Sequence, residues 1–254
     1  MSPPRNRHLG GRIVIKYDAV VLSHPKDYVK VSFCLDSLRF LNPSPQNIYV
    51  VSPHLLKIDS ATCMKDEDAI FVKANDIKYR RKNWIYQQLI KLLQDFTEND
   101  LYMCVDSDLI FNRKLTVLKN DNPVFFISNR EQRYPPYFAF TRQYLDLERQ
   151  VPFTFINDFM MFDKNILKKM IPDKRKFVKD INEIVSDECL LSEFETYGNY
   201  VVKYFPDYYS MKQTQVLTHG KYLKEDPWTS DEIKRLVKNN SDKDIDLFTV
   251  HTWT

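Results

Sequence analysis

The triplet Asp106-Ser107-Asp108 holds the most concentrated chemistry in the chain, two carboxylates set directly behind the apolar run Leu101-Tyr102-Met103-Cys104-Val105. An apolar run that stops abruptly at charge reads as a buried strand and its C-terminal end, which is where open α/β sheets bind ligands. Strand alternation puts Asp106 and Asp108 on the same side of the chain, at a separation that one divalent cation can bridge, and hard oxygen ligands suit such a cation. A cation held there could neutralise a diphosphate without help from glycine. That route matters because Gly10, Gly11, Gly198 and Gly220 are the only glycines. The P-loop and the dinucleotide fingerprint need clustered glycines so that backbone amides can approach phosphate, and neither can be written here. Alone, the triplet would read first as a solvated acidic turn; the strand in front of it and the missing glycine loops turn the balance to a ligand site.

The elements that must position the triplet follow from hydrophobic pattern. Ile13 to Ser23 reads as a strand ended by Ser23-His24-Pro25, and Tyr28 to Phe40 as a helix. Ile48 to Val51 and Ala69 to Val72 are short β-branched runs that predict buried strands. From Arg80 to Phe96 the residues Ile85, Leu89, Leu92, Leu93 and Phe96 fall on one helix face. Val124 to Ile127 and Phe159 to Phe162 predict further strands, and Asn129 to Pro152 between them, rich in Arg, Tyr and Pro, a surface excursion over a cleft. After Pro172 the pattern is helical up to Gly198, strand-like from Asn199 to Phe205, and helical again from Ser230 to Asn240. The alternation predicts one α/β domain over residues 12–254, with a mostly parallel sheet flanked by helices, behind a flexible leader at residues 1–11.

Composition excludes several classes. The net charge of +3 is too small a surplus for a dedicated nucleic-acid binder. No window approaches the ~18 apolar residues of a membrane span and the N-terminus lacks an apolar signal core, so no transmembrane segment and a cytoplasmic location are expected. Cys34, Cys63, Cys104 and Cys189 form no C-x-x-C pair, which removes zinc-cage and thioredoxin-type readings and leaves buried reduced thiols.

The strand with Asp106-Ser107-Asp108, together with the W-x-x-Q-Q-x-x-K pattern of Trp84, Gln87, Gln88 and Lys91, resembles a GT-A glycosyltransferase. Ser192-Glu193-Phe194-Glu195-Thr196-Tyr197-Gly198-Asn199-Tyr200 is similar to the S-E-[YF]-E-x-Y-G-N-Y stretch of a largely uncharacterised group of glycosyltransferases in bacteria and large DNA viruses. Asn157-Asp158-Phe159-Met160-Met161-Phe162 resembles that group's D-H-x-x-F segment with Phe159 in place of histidine, and His219-Gly220 also fits its pattern. Together these stretches span roughly residues 15 to 225 in the right order.

The resemblance implies a single-domain GT-A, Rossmann-like fold and a nucleotide-diphosphate sugar donor, most often a UDP-sugar, with Mn2+ or Mg2+ between diphosphate and carboxylates. It implies transfer to a glycan hydroxyl, and the host cytoplasm as location if the chain is viral. Asp106 and Asp108 would be metal ligands, Asp108 the firmer, with Ser107 beside them. A C-terminal histidine would complete the shell, His219 first and His251 second. Asp158 is the expected base of an inverting reaction, and Asp187, Glu188, Glu193 and Glu195 are its rivals, with Glu193 kept as a second catalytic candidate. Glu193 and Glu195, two apart, cannot share a helix face, so at least one is structural. If the enzyme retains configuration, Asp158 would instead hold substrate hydroxyls. Ser23 and His24 stand where this fold meets the base and ribose.

The basic run Lys78-Tyr79-Arg80-Arg81-Lys82 precedes the best helix, where cations oppose the helix dipole. Anion recognition by Arg80 or Arg81, with Gln87 and Gln88 reaching toward sugar, is one reading of it. A solvated basic face is the other. Trp84 and the Tyr134 to Tyr137 cluster could stack on sugar rings or simply pack. Two rival classes remain: a haloacid-dehalogenase-like phosphatase, whose D-x-D normally runs on into small residues near the domain start, and a sugar-binding protein with a decayed transferase fold. Here Leu109-Ile110-Phe111 follow the triplet, and the retained Asp106, Asp108 and His219 argue against decay.

Overall fold

The uninterrupted apolar runs become the middle of the molecule. This structure, a computed structural model, describes residues 15–128, 134–222 and 228–253, so the expected leader at residues 1–11 lies outside the described residues. The first half comprises β1 (Tyr17–Leu22), α1 (Tyr28–Ser37), β2 (Leu41–Asn42), β3 (Ile48–Ser52), β4 (Thr62–Lys65), α2 (Asp66–Ala69), α3 (Lys82–Leu93), β5 (Leu101–Asp106) and β6 (Leu109–Phe111). Then come β7 (Leu115–Thr116), β8 (Leu118–Lys119), β9 (Asn122–Ile127), α4 (Pro135–Leu145), β10 (Phe159–Asp163), α5 (Lys164–Met170), α6 (Lys174–Ile184) and α7 (Glu193–Tyr204). The chain closes with β11 (Ser210–Gln213), β12 (Val216–Tyr222), α8 (Ser230–Asn240) and β13 (Leu247–Trp253).

The central sheet has the order β10-β5-β1-β3-β4. β5, β1, β3 and β4 run parallel and β10 antiparallel, so the sheet is mixed and mostly parallel, with helices on its faces. Alternation sorts its side chains into two cores. Val20, Leu22, Tyr102, Cys104 and Phe162 face α3, α5, α6 and α7, while Ala19, Val21, Met103, Val105 and Phe159 face α1 and β6. Asp106 continues the Tyr102, Cys104 series and therefore leaves β5 on the α3 face. A second, three-stranded sheet, β12-β13-β6, folds the C-terminal strand back beside the end of β5.

Two expected strands are not strands. Ala69 closes α2, and Ile70 and Val72 are buried in an irregular segment. The sheet edge is instead β4, whose residues are at most half-buried; an edge strand is paired on one side only and does not select an apolar sequence. Asn199 to Tyr204 completes α7. Tyr200, Val201, Val202, Tyr204 and Phe205 are β-branched or aromatic residues that favour strands, and that preference is overridden by docking of the helix. Ser192 starts it, accepting a hydrogen bond from the Glu195 N–H at 3.4 Å. The expected excursion at Asn129 to Pro152 contains α4; residues 129–133 of it lie outside the described residues. The four cysteines are free. Among the described residues no helix is long and apolar enough to cross a membrane.

Gly198 is where α7 comes closest to its neighbour. A Cβ there would lie 2.5 Å from the Phe155 ring, and Phe155 is fully buried. Gly198→Ala gains helix propensity of about 1 kcal/mol, but overpacking of a buried ring costs about 1–3 kcal/mol or more. A net loss of stability of about 1–2 kcal/mol is expected in urea unfolding.

Candidate functional site

A cavity of about 480 Å³ opens at the carboxyl ends of β1 and β5. Its floor is the acidic triplet, one wall is α3 with the start of α7, and the other is His251 of β13. The triplet is clamped by backbone. Asp106 N–H donates to the Asp158 carbonyl at 2.8 Å, Ser107 N–H to the Leu22 carbonyl at 3.1 Å, and Val250 N–H to the Asp108 carbonyl at 2.8 Å. Strand geometry stops at Asp106 and the chain turns through Ser107-Asp108. The two carboxylates therefore part toward different walls of one cavity, unlike the shared side that strand alternation predicts.

Asp106 points to α3. Its Oδ1 lies 2.8 Å from Lys91 Nζ, which also lies 2.7 Å from Glu193 Oε1 and 4.4 Å from the centre of the Phe194 ring. Burial alone would lower the Lys91 pKa, but the charges of Asp106 and Glu193 outweigh it and raise the pKa. Asp106 is held above the usual carboxylate range by burial and by Asp108, against the pull of Lys91. The Glu193 N–H donates to Gln88 Oε1 at 3.1 Å, which ties α7 to α3 at this point.

Asp108 points to β13. Its Oδ2 lies 2.8 Å from His251 Nδ1, and His251 Nε2 lies 3.9 Å from Asp158 Oδ2. Burial opposes ionisation of both partners, yet their mutual pairing wins, with the Asp108 pKa lowered and that of His251 raised. Asp158 precedes β10 with φ at 60°, a left-handed conformation that few side-chain-bearing residues adopt. Strained backbone of this kind concentrates at functional sites. Its side chain is 24% exposed to the cavity, and burial together with the Asp106 and Asp108 charges raises its pKa to about 7.

Carboxylate oxygens from Asp106, Asp108 and Asp158 and the imidazole of His251 face one hollow, and the Asp158 pKa is raised first by burial and then by the two neighbouring carboxylates. These are donor types that a hard divalent cation accepts, but here they are engaged with Lys91 and with one another rather than grouped around a common point. Lys91 carries the countercharge on the α3 side. Among the described residues, no group of three or more His, Cys, Asp or Glu side chains stands in ligating arrangement.

The structure brings His24, Arg81, Trp84, Gln87, Gln88, Asp106, Ser107, Asp108, Tyr137, Asp158, Glu193 and His251 to the cavity, and places His219, Arg80, Asp187, Glu188, Ser23 and Glu195 elsewhere. His219 pairs with Val250 in the parallel register of β12 and β13, so it shares the face of Val250 and Phe248, opposite to His251. It contacts the Phe248 ring edge-on and Asn240 at 3.2 Å. His251 thus takes the position expected of His219. Arg80 is bound to exposed Asp187 at 2.9 Å, Glu188 is exposed beside Ser186, and none of them lines the cavity. Ser23 is buried behind the wall. Glu195 is structural, accepting from Thr154 Oγ1 at 2.6 Å and from the Phe155 N–H at 3.0 Å. The stretch Ser192 to Tyr200 is therefore mostly a clamp on residues 150–155, and only Ser192, Glu193 and Phe194 of it reach the cavity.

Sequence reasoning gave Lys91 and Asp27 no role. Lys91 had a visible signal, since Arg81, Trp84, Gln88 and Lys91 at i, i+3, i+7 and i+10 form a polar stripe along one face of a helix whose other face is apolar. Asp27 lines the cavity and pairs with buried Lys30 at 2.6 Å, which no spacing announces. No curated protein matches the chain. Residues 36–241 match a family of unknown function (DUF6492), and with most of its length so covered the chain belongs to that family.

Proposed function

We propose that this chain is a metal-dependent glycosyltransferase of the GT-A fold, moving a sugar from a nucleotide-diphosphate sugar, UDP-sugars first, to a hydroxyl of a glycan. The observation that carries the reading is the convergence of Asp106, Asp108, Asp158 and His251 on one cavity at the carboxyl ends of parallel strands. Asp108 and His251, with Mn2+ or Mg2+, would hold the donor diphosphate. A bound cation supplies Lewis-acid neutralisation of that leaving group.

The other roles belong to the chain itself. Asp158 accepts the proton of the acceptor hydroxyl, since its carboxylate opens on the cavity across from the triplet. Its backbone, fixed by the bond from Asp106 N–H, holds the carboxylate facing the triplet. Glu193, Lys91 and Gln88 offer acceptors and donors for sugar hydroxyls, and His24 stands at the nucleotide end. Inversion is the expected stereochemistry.

Calorimetric titration of nucleotide diphosphates and their sugars, with Mn2+ or with EDTA, tests the reading. One nucleotide should bind only with metal, and Asp108→Ala should weaken it by about ten- to a hundredfold. No binding of any nucleotide under either condition would sink the proposal.

A further inference from the structure

We infer that the α3–α4 end of the cavity is an acceptor subsite for an anionic sugar, one bearing a carboxylate, sulfate or phosphate, which Arg81 grips beside the Trp84 and Tyr137 rings; its role as acceptor subsite rests on the transferase reading. Arg81, Trp84, Gln88 and Lys91 line the cavity from one face of α3. Ten residues separate the first from the last, about 15 Å along the helix. The Lys91 end is neutralised by Asp106 and Glu193.

The Arg81 end is not neutralised. Its guanidinium lies 4.6 Å from the centre of the Trp84 ring and has no carboxylate partner among the described residues, whereas Arg80 is bound to Asp187 and Lys82 to Asn75. Arg81 is also the N-cap of α3, whose first turn carries no acid. The positive end of the helix dipole and the guanidinium therefore add at one mouth of the cavity, an arrangement that opposes helix stability and draws anions. The diphosphate cannot be that anion if Asp108 and His251 hold it at the far end.

An independent observation points to a ligand in the same groove. Gln88 is 3% exposed. Its Oε1 is used by Glu193, but its Nε2 has no hydrogen-bond partner. A buried amide donor left open between Arg81 and Lys91 suits a sugar hydroxyl. Trp84 and Tyr137, with ring centres 6.4 Å apart and planes 29° from parallel, supply the apolar surface that a sugar ring packs on.

The test is a heteronuclear NMR titration of the full chain, following the Trp84 indole with D-glucuronate and with D-glucose to about 50 mM, on wild type and Arg81→Ala. UDP with Mn2+ is titrated in parallel. Glucuronate should move the Trp84 signal and glucose should not. Arg81→Ala should weaken glucuronate by about tenfold or more, as loss of a charge-assisted contact predicts, and leave UDP binding unchanged. Equal responses to the two sugars, or none to glucuronate, overturn the inference. So does weakened UDP binding in Arg81→Ala, which assigns the guanidinium to the donor phosphates. Failure of every nucleotide diphosphate to bind wild type, with an Arg81-dependent glucuronate response, removes the transferase reading and leaves the anionic-sugar site standing.

Discussion

Asp158→Asn is expected to lower the transfer rate by about 10²–10⁴-fold, the usual worth of a positioned base, while raising the melting temperature above pH 7. The Asp158 pKa is raised from 3.8 to about 7, first by burial and then by the Asp106 and Asp108 charges. Between those values the folded chain holds a proton that the unfolded chain releases, so stability falls as pH rises through the window and is lowest above about 7. Asparagine keeps the shape, tolerates φ near 60° and never ionises. A carboxyl pKa raised that far corresponds to roughly 4 kcal/mol, and solvent screening at a partly exposed side chain cuts this by about half, to about 2 kcal/mol. At roughly 2–4 °C per kcal/mol, the variant should melt about 5 °C higher at pH 8 and close to wild type at pH 4. Thermal melts across that range, beside rate measurements, check both halves. A variant that melts lower than wild type at pH 8 would contradict the charge surplus at the site.

Lys91→Met should be the most destabilising conservative change in the site. The ammonium is 6% exposed and separates two carboxylates, of which Glu193 is 8% exposed. Removing one member of a buried ion cluster costs about 3–5 kcal/mol, because the charges left behind are desolvated and unpaired. The melting temperature should fall by about 10 °C at neutral pH. The loss should shrink in acid, where the carboxylates can protonate, and Glu193→Gln added to Lys91→Met should restore a large part of it. Urea unfolding of the two single variants and the double variant gives the coupling directly. A double variant as unstable as the sum of the singles would show that Lys91 and Glu193 act independently.

Both expectations start from residues that sequence reading reached unequally. Asp158 was reached through the family-like segment that precedes a predicted strand, but its left-handed backbone, its burial and the nearby carboxylates that shift its pKa are products of the turn before β10. Lys91 was visible inside a helical pattern without any sign of its partners. Those partners, Asp106 and Glu193, come from β5 and α7, and only the packing of α3 between them brings the three charges together. The same limit explains the histidines. His219 and His251 look alike along the chain, and the choice between them depends on the parallel register of β12 and β13, which puts His219 beside Val250 and leaves His251 on the opposite face.

The sequence by itself determined the α/β class, the buried strands around β1 and β5, the helix α3, and the place of Asp106 and Asp108 at a strand's end. Those features are local, set by apolar periodicity and by abrupt changes from apolar to charged residues. It could not separate the second half of α7 from a strand, since β-branched and aromatic residues there favour extended backbone until tertiary packing overrides them, nor find β4, since an edge strand does not need apolar residues. The tertiary structure alone decided that Asp106 meets Lys91 while Asp108 meets His251, and that Glu193 faces the cavity while Glu195 braces residues 154 and 155. These outcomes depend on strand register, a turn after Asp106 and the contact between two helices about a hundred residues apart in the chain, and no short-range pattern encodes contacts of that range.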